Sequence, residues 1–170
     1  MKQAKGKISM VSAAKVAGMV DLQEVKLVES TCKRRLGHPD GSKTFDIRQT
    51  ARFELSDKQN ALGVSIQFVL NAIDEGKEQK KENTFLSIRA TFFLLYSIDN
   101  KEGLDDKVLG SFATLNGTYN AWPYWREFVQ SVTSRMGLPP LIVPVFRLPR
   151  GPAKPVVEKK RDMLEAAAKK

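Results

Sequence analysis

The sequence predicts an α+β fold: a four-stranded antiparallel sheet with C-terminal helices packed on it. Three observations predict it. Four stretches between Leu22 and Ile98 alternate apolar and polar residues, as half-buried strands do. Polar turns rather than helices join them, which argues an antiparallel meander. From Leu104 onward apolar residues recur at helical spacing.

In order, Ile8–Val20 places Ile8, Val11, Val16 and Met19 at roughly helical steps, with Ala13, Ala14 and Ala17 favouring helix and Gly18 weakening its end. Leu22–Lys33 alternates imperfectly, Val25 and Leu27 opposing Glu24 and Lys26, as a first strand. Lys33-Arg34-Arg35 leads into a loop, Gly37-His38-Pro39-Asp40-Gly41. In Thr44–Leu55, Phe45, Ile47, Ala51, Phe53 and Leu55 share one face. Leu62, Val64, Ile66, Phe68, Leu70 and Ala72 define the inward side of the next strand. After the polar connection 74–83, Phe85–Ile98 becomes apolar on both faces toward its end, so something must cover the second face. A helix follows through Leu104, Val108, Leu109, Phe112 and Leu115, ending near Asn116-Gly117. Val156–Ala168 reads as a charged amphipathic helix. The implied division is a basic segment with a short helix at 1–20, a folded domain at 21–147 and a basic tail at 148–170.

The stretch Asn120–Arg147 organises the rest. With Pro123 in the first turn and Gly137 as the cap, its helix aligns Trp122, Trp125, Val129, Val132 and Met136 on one face, with Tyr124 and Phe128 beside them. Leu138–Phe146 then carries three prolines, which exclude a helix interior and a central strand. A greasy helix followed by a greasy extended segment makes an apolar groove, suited to binding more than to chemistry.

The runs Tyr119-Asn120-Ala121-Trp122-Pro123-Tyr124-Trp125-Arg126-Glu127, Ser134-Arg135-Met136-Gly137-Leu138-Pro139-Pro140-Leu141 and Pro144-Val145-Phe146 resemble the C-terminal half of SecB-type chaperones. The strands extend the likeness to roughly residues 20–147. The resemblance implies a holdase for unfolded polypeptides, either preproteins for export or the antitoxin of a toxin–antitoxin system. It also implies a cytoplasmic homotetramer, a dimer of dimers whose assembly would cover the doubly apolar strand. Client contacts carry over to Trp122, Tyr124, Leu141, Val143, Val145 and Phe146, while Trp125, Phe128, Val129, Val132 and Met136 are expected to serve packing or the oligomer face. Export-type members often end in a zinc-binding tail that docks on the translocase motor. Here neither cysteine nor histidine follows residue 38, so the resemblance does not reach that docking. The Ile8–Val20 helix favours the toxin–antitoxin branch.

Catalysis finds little footing. The single cysteine, Cys32, allows neither an internal disulfide nor a cysteine metal cluster. The single histidine, His38, sits in a Gly-Pro loop, and thiolate chemistry would need it to pair with Cys32. Arg126-Glu127 invites an acid–base reading, but adjacent helix positions point apart. No phosphate loop, cofactor motif or metal site is evident, and the longest apolar run, Thr91–Ile98, is too short to cross a membrane. The net charge of +9 resides in the ends: +4 in residues 1–15, +5 in 147–170 and zero between. The alternative function is therefore a nucleic-acid-binding adaptor acting through basic termini, although no recognition motif accompanies them.

Overall fold

The computed structural model describes residues 1–4, 8–36, 43–56, 60–74 and 83–147. His38, the 74–83 connection apart from its ends, and the tail from 148 lie outside the described residues. Strand β1 (Lys2–Gln3) and helix α1 (Met10–Ala17) precede four long strands, β2 (Val20–Arg34), β3 (Lys43–Ser56), β4 (Ala61–Asp74) and β5 (Thr84–Ile98). Helices α2 (Asp106–Phe112) and α3 (Thr118–Arg135) complete the order.

Each of the four expected strands is present, and β1 makes a fifth. Two residues among lysines carry no alternation, so β1 is visible only through its pairing of Lys2 with Phe53 and Gln3 with Arg52. The order β1-β3-β4-β5-β2 corrects the expected meander, because β2 pairs with β5 and not with β3. β2 and β3 therefore lie on opposite sides of the β4–β5 pair, three inter-strand steps of about 4.8 Å apart. Register shifts between Leu22 and Glu24 and between Leu27 and Glu29 account for the broken alternation of β2.

One sheet face is the core floor. Leu62, Val64, Ile66, Phe68 and Leu70 of β4 and Ile88, Ala90, Phe92 and Leu94 of β5 are buried beneath the helices. On the other face, Phe93 of β5 lies so close over Gly63 of β4 that a Cβ there would sit 3.1 Å from the ring. Among the described residues no helix lies on that face, and Phe93 and Leu95 are only half-buried on it.

Ser9 caps α1 by accepting from the Ser12 N–H, and Ser111 Oγ accepts from the Ser9 N–H at 3.2 Å, tying α1 to α2. Asp105 caps α2 through the Val108 N–H at 2.8 Å, while Asp106 pairs with Lys2 at 2.8 Å. β1 and α1 are thereby tied to the sheet and to α2.

The two expected C-terminal helices are one continuous rod. Between them Ala113–Gly117 forms a π turn, so Gly117 does not end a helix. It permits close approach instead: a Cβ on Gly117 would lie 2.8 Å from Val64 Cγ1. Pro123 consequently falls inside α3 rather than in its first turn. It removes the N–H partner of the Tyr119 carbonyl, on an exposed stretch where water can replace it. The far end is as expected. Gly137, at φ +69°, closes a Schellman motif in which its own N–H reaches Ser134 O and that of Leu138 reaches Thr133 O.

Gly117→Ala should lower stability by about 1–2 kcal/mol in chemical denaturation, the clash with stiff, buried Val64 outweighing the helix-propensity gain. Gly18→Ala, where the nearest atom is 3.8 Å away, should be neutral or slightly stabilising.

Candidate functional site

The aromatic residues of α3 meet the sheet first. Trp125, fully buried, stacks on Phe68 with centroids 5.2 Å apart and planes 16° from parallel. Val129 is buried behind it, and Phe128, Val132 and Met136 border the core. These five form the packing face of the helix within this chain. Trp122 stands at the margin, its ring edge-on to Phe68 at 5.5 Å and tilted against Phe146 at 5.2 Å.

Residues 138–147 have no ladder partner, so their backbone groups need others. Three α3 side chains supply them. Trp122 Nε1 donates to the Pro144 carbonyl at 2.8 Å, Arg126 Nε donates to the Val143 carbonyl at 2.8 Å, and Thr133 Oγ1 accepts from the Leu141 N–H at 3.0 Å. Thr133 Oγ1 in turn donates toward the Val129 carbonyl at 2.9 Å.

This lacing fixes where each expected contact residue lies. Trp122, Tyr124, Val145 and Phe146 come together with Leu22, Tyr119, Asn120, Pro123 and Arg126 around a cleft of ≈ 360 Å³. Tyr124 is 48% exposed and Val145 57%. Leu141 lines a second cleft of ≈ 220 Å³, with Phe45, Phe85, Leu138, Pro139 and Pro140. Val143 joins neither group. At 2% exposure it is an anchor in the core, and its neighbour Ile142, 72% exposed, presents the free aliphatic side chain instead. Alternation along an extended chain is the signal that separates 143 from its neighbours 142 and 144; Val145, which alternation would place with 143, is exposed instead.

The floor of the first cleft is an edge of the sheet. Leu22 and Leu27 of β2 lie on the helix-bearing face yet remain 42% and 46% exposed. Asn120 donates to Tyr96 Oη at 3.0 Å, which orients its amide at the cleft wall. Burial pushes the Tyr96 hydroxyl up to about 12, with the Asn120 hydrogen bond acting in the opposite direction. Burial likewise raises Cys32, so its thiol stays protonated, opposite to what a thiolate nucleophile requires. At the second cleft Lys43 pairs with Asp74 at 2.7 Å, both side chains largely buried, and Lys43 and Arg34 lie 5.5 and 5.9 Å from the Phe85 ring centre. Arg34 also donates to the Met136 carbonyl. Among the described residues there is no group of three or more metal-ligating side chains, and no helix is long and apolar enough to cross a membrane.

The described geometry is thus two open, largely apolar clefts along a proline-studded segment that Trp122, Arg126 and Thr133 hold in place. Comparison with known proteins gives that geometry its family setting. The chain is 29% identical over 91 residues to the SecB-like chaperone MT2006 of Mycobacterium tuberculosis (strain CDC 1551 / Oshkosh), covering 52% of this chain and 50% of that protein. It is 29% identical over 80 residues to the SecB-like chaperone Rv1957 of strain ATCC 25618 / H37Rv, covering 45% and 44%. These alignments span about half the length of each relative, or less. The fold superposes on the M. tuberculosis Rv1957 SecB-like chaperone solved with a ChAD peptide from the Rv1956 HigA1 antitoxin. That match has a TM-score of 0.71 at 19% identity, over 83% of this chain and 100% of that one. No protein-family model matches the chain. In sequence and in fold, then, the chain is similar to the SecB-like chaperones, as the runs at 119–127, 134–141 and 144–146 implied.

Thr133→Val keeps the shape of the side chain but strands the Leu141 N–H. Stability should fall by about 1–2 kcal/mol, and hydrogen exchange should quicken in residues 138–147 before it does in β4.

Proposed function

We propose that the chain is a cytoplasmic SecB-like holdase that binds a non-native polypeptide along the clefts flanking residues 138–147. One observation carries the reading: Trp122, Tyr124, Val145 and Phe146 are gathered around an open cleft while Trp125 and Val129 already satisfy the core. Apolar burial is worth roughly 25 cal/mol per Å², so such a surface can retain a client without any chemistry. The antitoxin of a toxin–antitoxin system is the favoured client, since the structural relative was solved with an antitoxin peptide. The relatives are named as chaperones and not as enzymes, in keeping with a non-catalytic role.

Tyr124→Ala combined with Val145→Asp should weaken suppression of client aggregation, read by light scattering, about tenfold or more. Circular dichroism and the unfolding midpoint should stay unchanged, because neither side chain is buried. Undiminished suppression would refute the cleft as the client site. Run against both an antitoxin encoded beside the gene and an exported precursor, the assay also separates the two client classes; equal protection would remove the antitoxin preference.

The same reading includes assembly as a dimer of dimers. Among the described residues the outer edge of β2 lacks a partner strand, and nothing covers the face bearing Phe93 and Leu95. Size exclusion with light scattering should give four times the 19.0 kDa chain mass; a monomer would contradict it.

A further inference from the structure

Arg126 is the charged member of an otherwise uncharged cleft lining. Its Nε is spent on the Val143 carbonyl, which fixes the guanidinium in place. Among the described residues no carboxylate pairs with it: Glu127, its neighbour in sequence, lines an adjoining hollow that Arg126 also borders, yet makes no ion pair with it. A half-buried guanidinium held by one nitrogen keeps its η nitrogens free to form a fork, the geometry that accepts a carboxylate through two hydrogen bonds. The surrounding wall is aromatic and aliphatic, so a bound group must pair a negative charge with an apolar side chain.

We infer that Arg126 is a specificity-determining residue that reads a carboxylate on the bound polypeptide, beside the apolar side chain that fills the cleft. This rests on the cleft being the client site. Along an extended chain, side chains two positions apart share a face and lie about 7 Å from each other. A tryptophan in the cleft therefore presents an aspartate two residues away to Arg126. A chain terminus directly after the aromatic residue offers the same chemistry from its α-carboxylate.

Fluorescence anisotropy with four labelled synthetic peptides tests this in the full chain. Two carry an internal tryptophan with either Asp or Asn two residues on; two end in tryptophan, as free acid or as amide. The Asp peptide should bind about fivefold more tightly than the Asn peptide, and raised salt should erase the difference. A preference confined to the free acid over the amide would assign the carboxylate to a chain end. Arg126→Gln should bring both ratios to one. Because each ratio is taken within one variant, any general weakening from losing the Val143 tie cancels, and Arg126→Lys, which retains charge but not the fork, should keep about twofold. Equal binding of all four peptides to the unmodified chain overturns the assignment alone. If none binds, the client-cleft reading falls and takes the assignment with it.

Discussion

A polypeptide segment with three prolines in nine residues cannot join a sheet ladder, and yet it lies against the body of the protein. The resolution is a set of hydrogen bonds from helix side chains to its backbone. Trp122, Arg126 and Thr133 each serve one backbone group of Leu141, Val143 or Pro144, and burial of Val143 adds an apolar anchor between them. Each such hydrogen bond contributes about 1 kcal/mol net and the valine about 1.5–3 kcal/mol. The attachment is firm enough to hold the clefts open on either side and still much weaker than the core beneath. Proline keeps the free segment extended, so little entropy is lost on ordering it.

The sheet sets the other boundary of the clefts. Helices cover β4 and β5 but stop short of β2, leaving Leu22 as cleft floor and Leu27 nearby with one side bare. Stacking of Trp125 on Phe68 fixes the helix at that distance. Tyr124, one position earlier in α3, therefore overhangs the bare edge rather than the core, its ring 6.5 Å from Phe92. Core packing and solvent exposure are divided within a single turn of helix by a 100° step.

Much of this was legible in the residues themselves. Alternation located β3, β4 and β5 and their faces, and the Gly137 cap followed from glycine's tolerance of positive φ. β1 was illegible because its two residues owe their conformation to Phe53 and Arg52. The order of β2 depends on a loop crossing that no local pattern encodes. Gly117 and Pro123 looked like a break and a start, since local propensity cannot register a core that holds a helix together across both. Val143 was grouped with its neighbours by the family resemblance, whereas the backbone turns its side chain into the core. Nothing in the sequence pointed to the tie that Arg126 and Thr133 make: their partners are the carbonyl and N–H of residues many positions away, and any backbone presents those groups.

The π turn bears on which changes of length the long helix can absorb. At 100° per residue, Leu109 and Trp125 would point about 160° apart on an uninterrupted α-helix; taking up one residue in the wide turn narrows that to about 60°. The rod thus contains a spare residue between Ala113 and Gly117. Its loss would convert the bulge to ordinary helix with both ends still facing their neighbours. An insertion at the same place has no slack to enter, and would swing every later side chain about 100° around the axis, carrying Trp125 off its ring. Tolerance to indels here is one-sided.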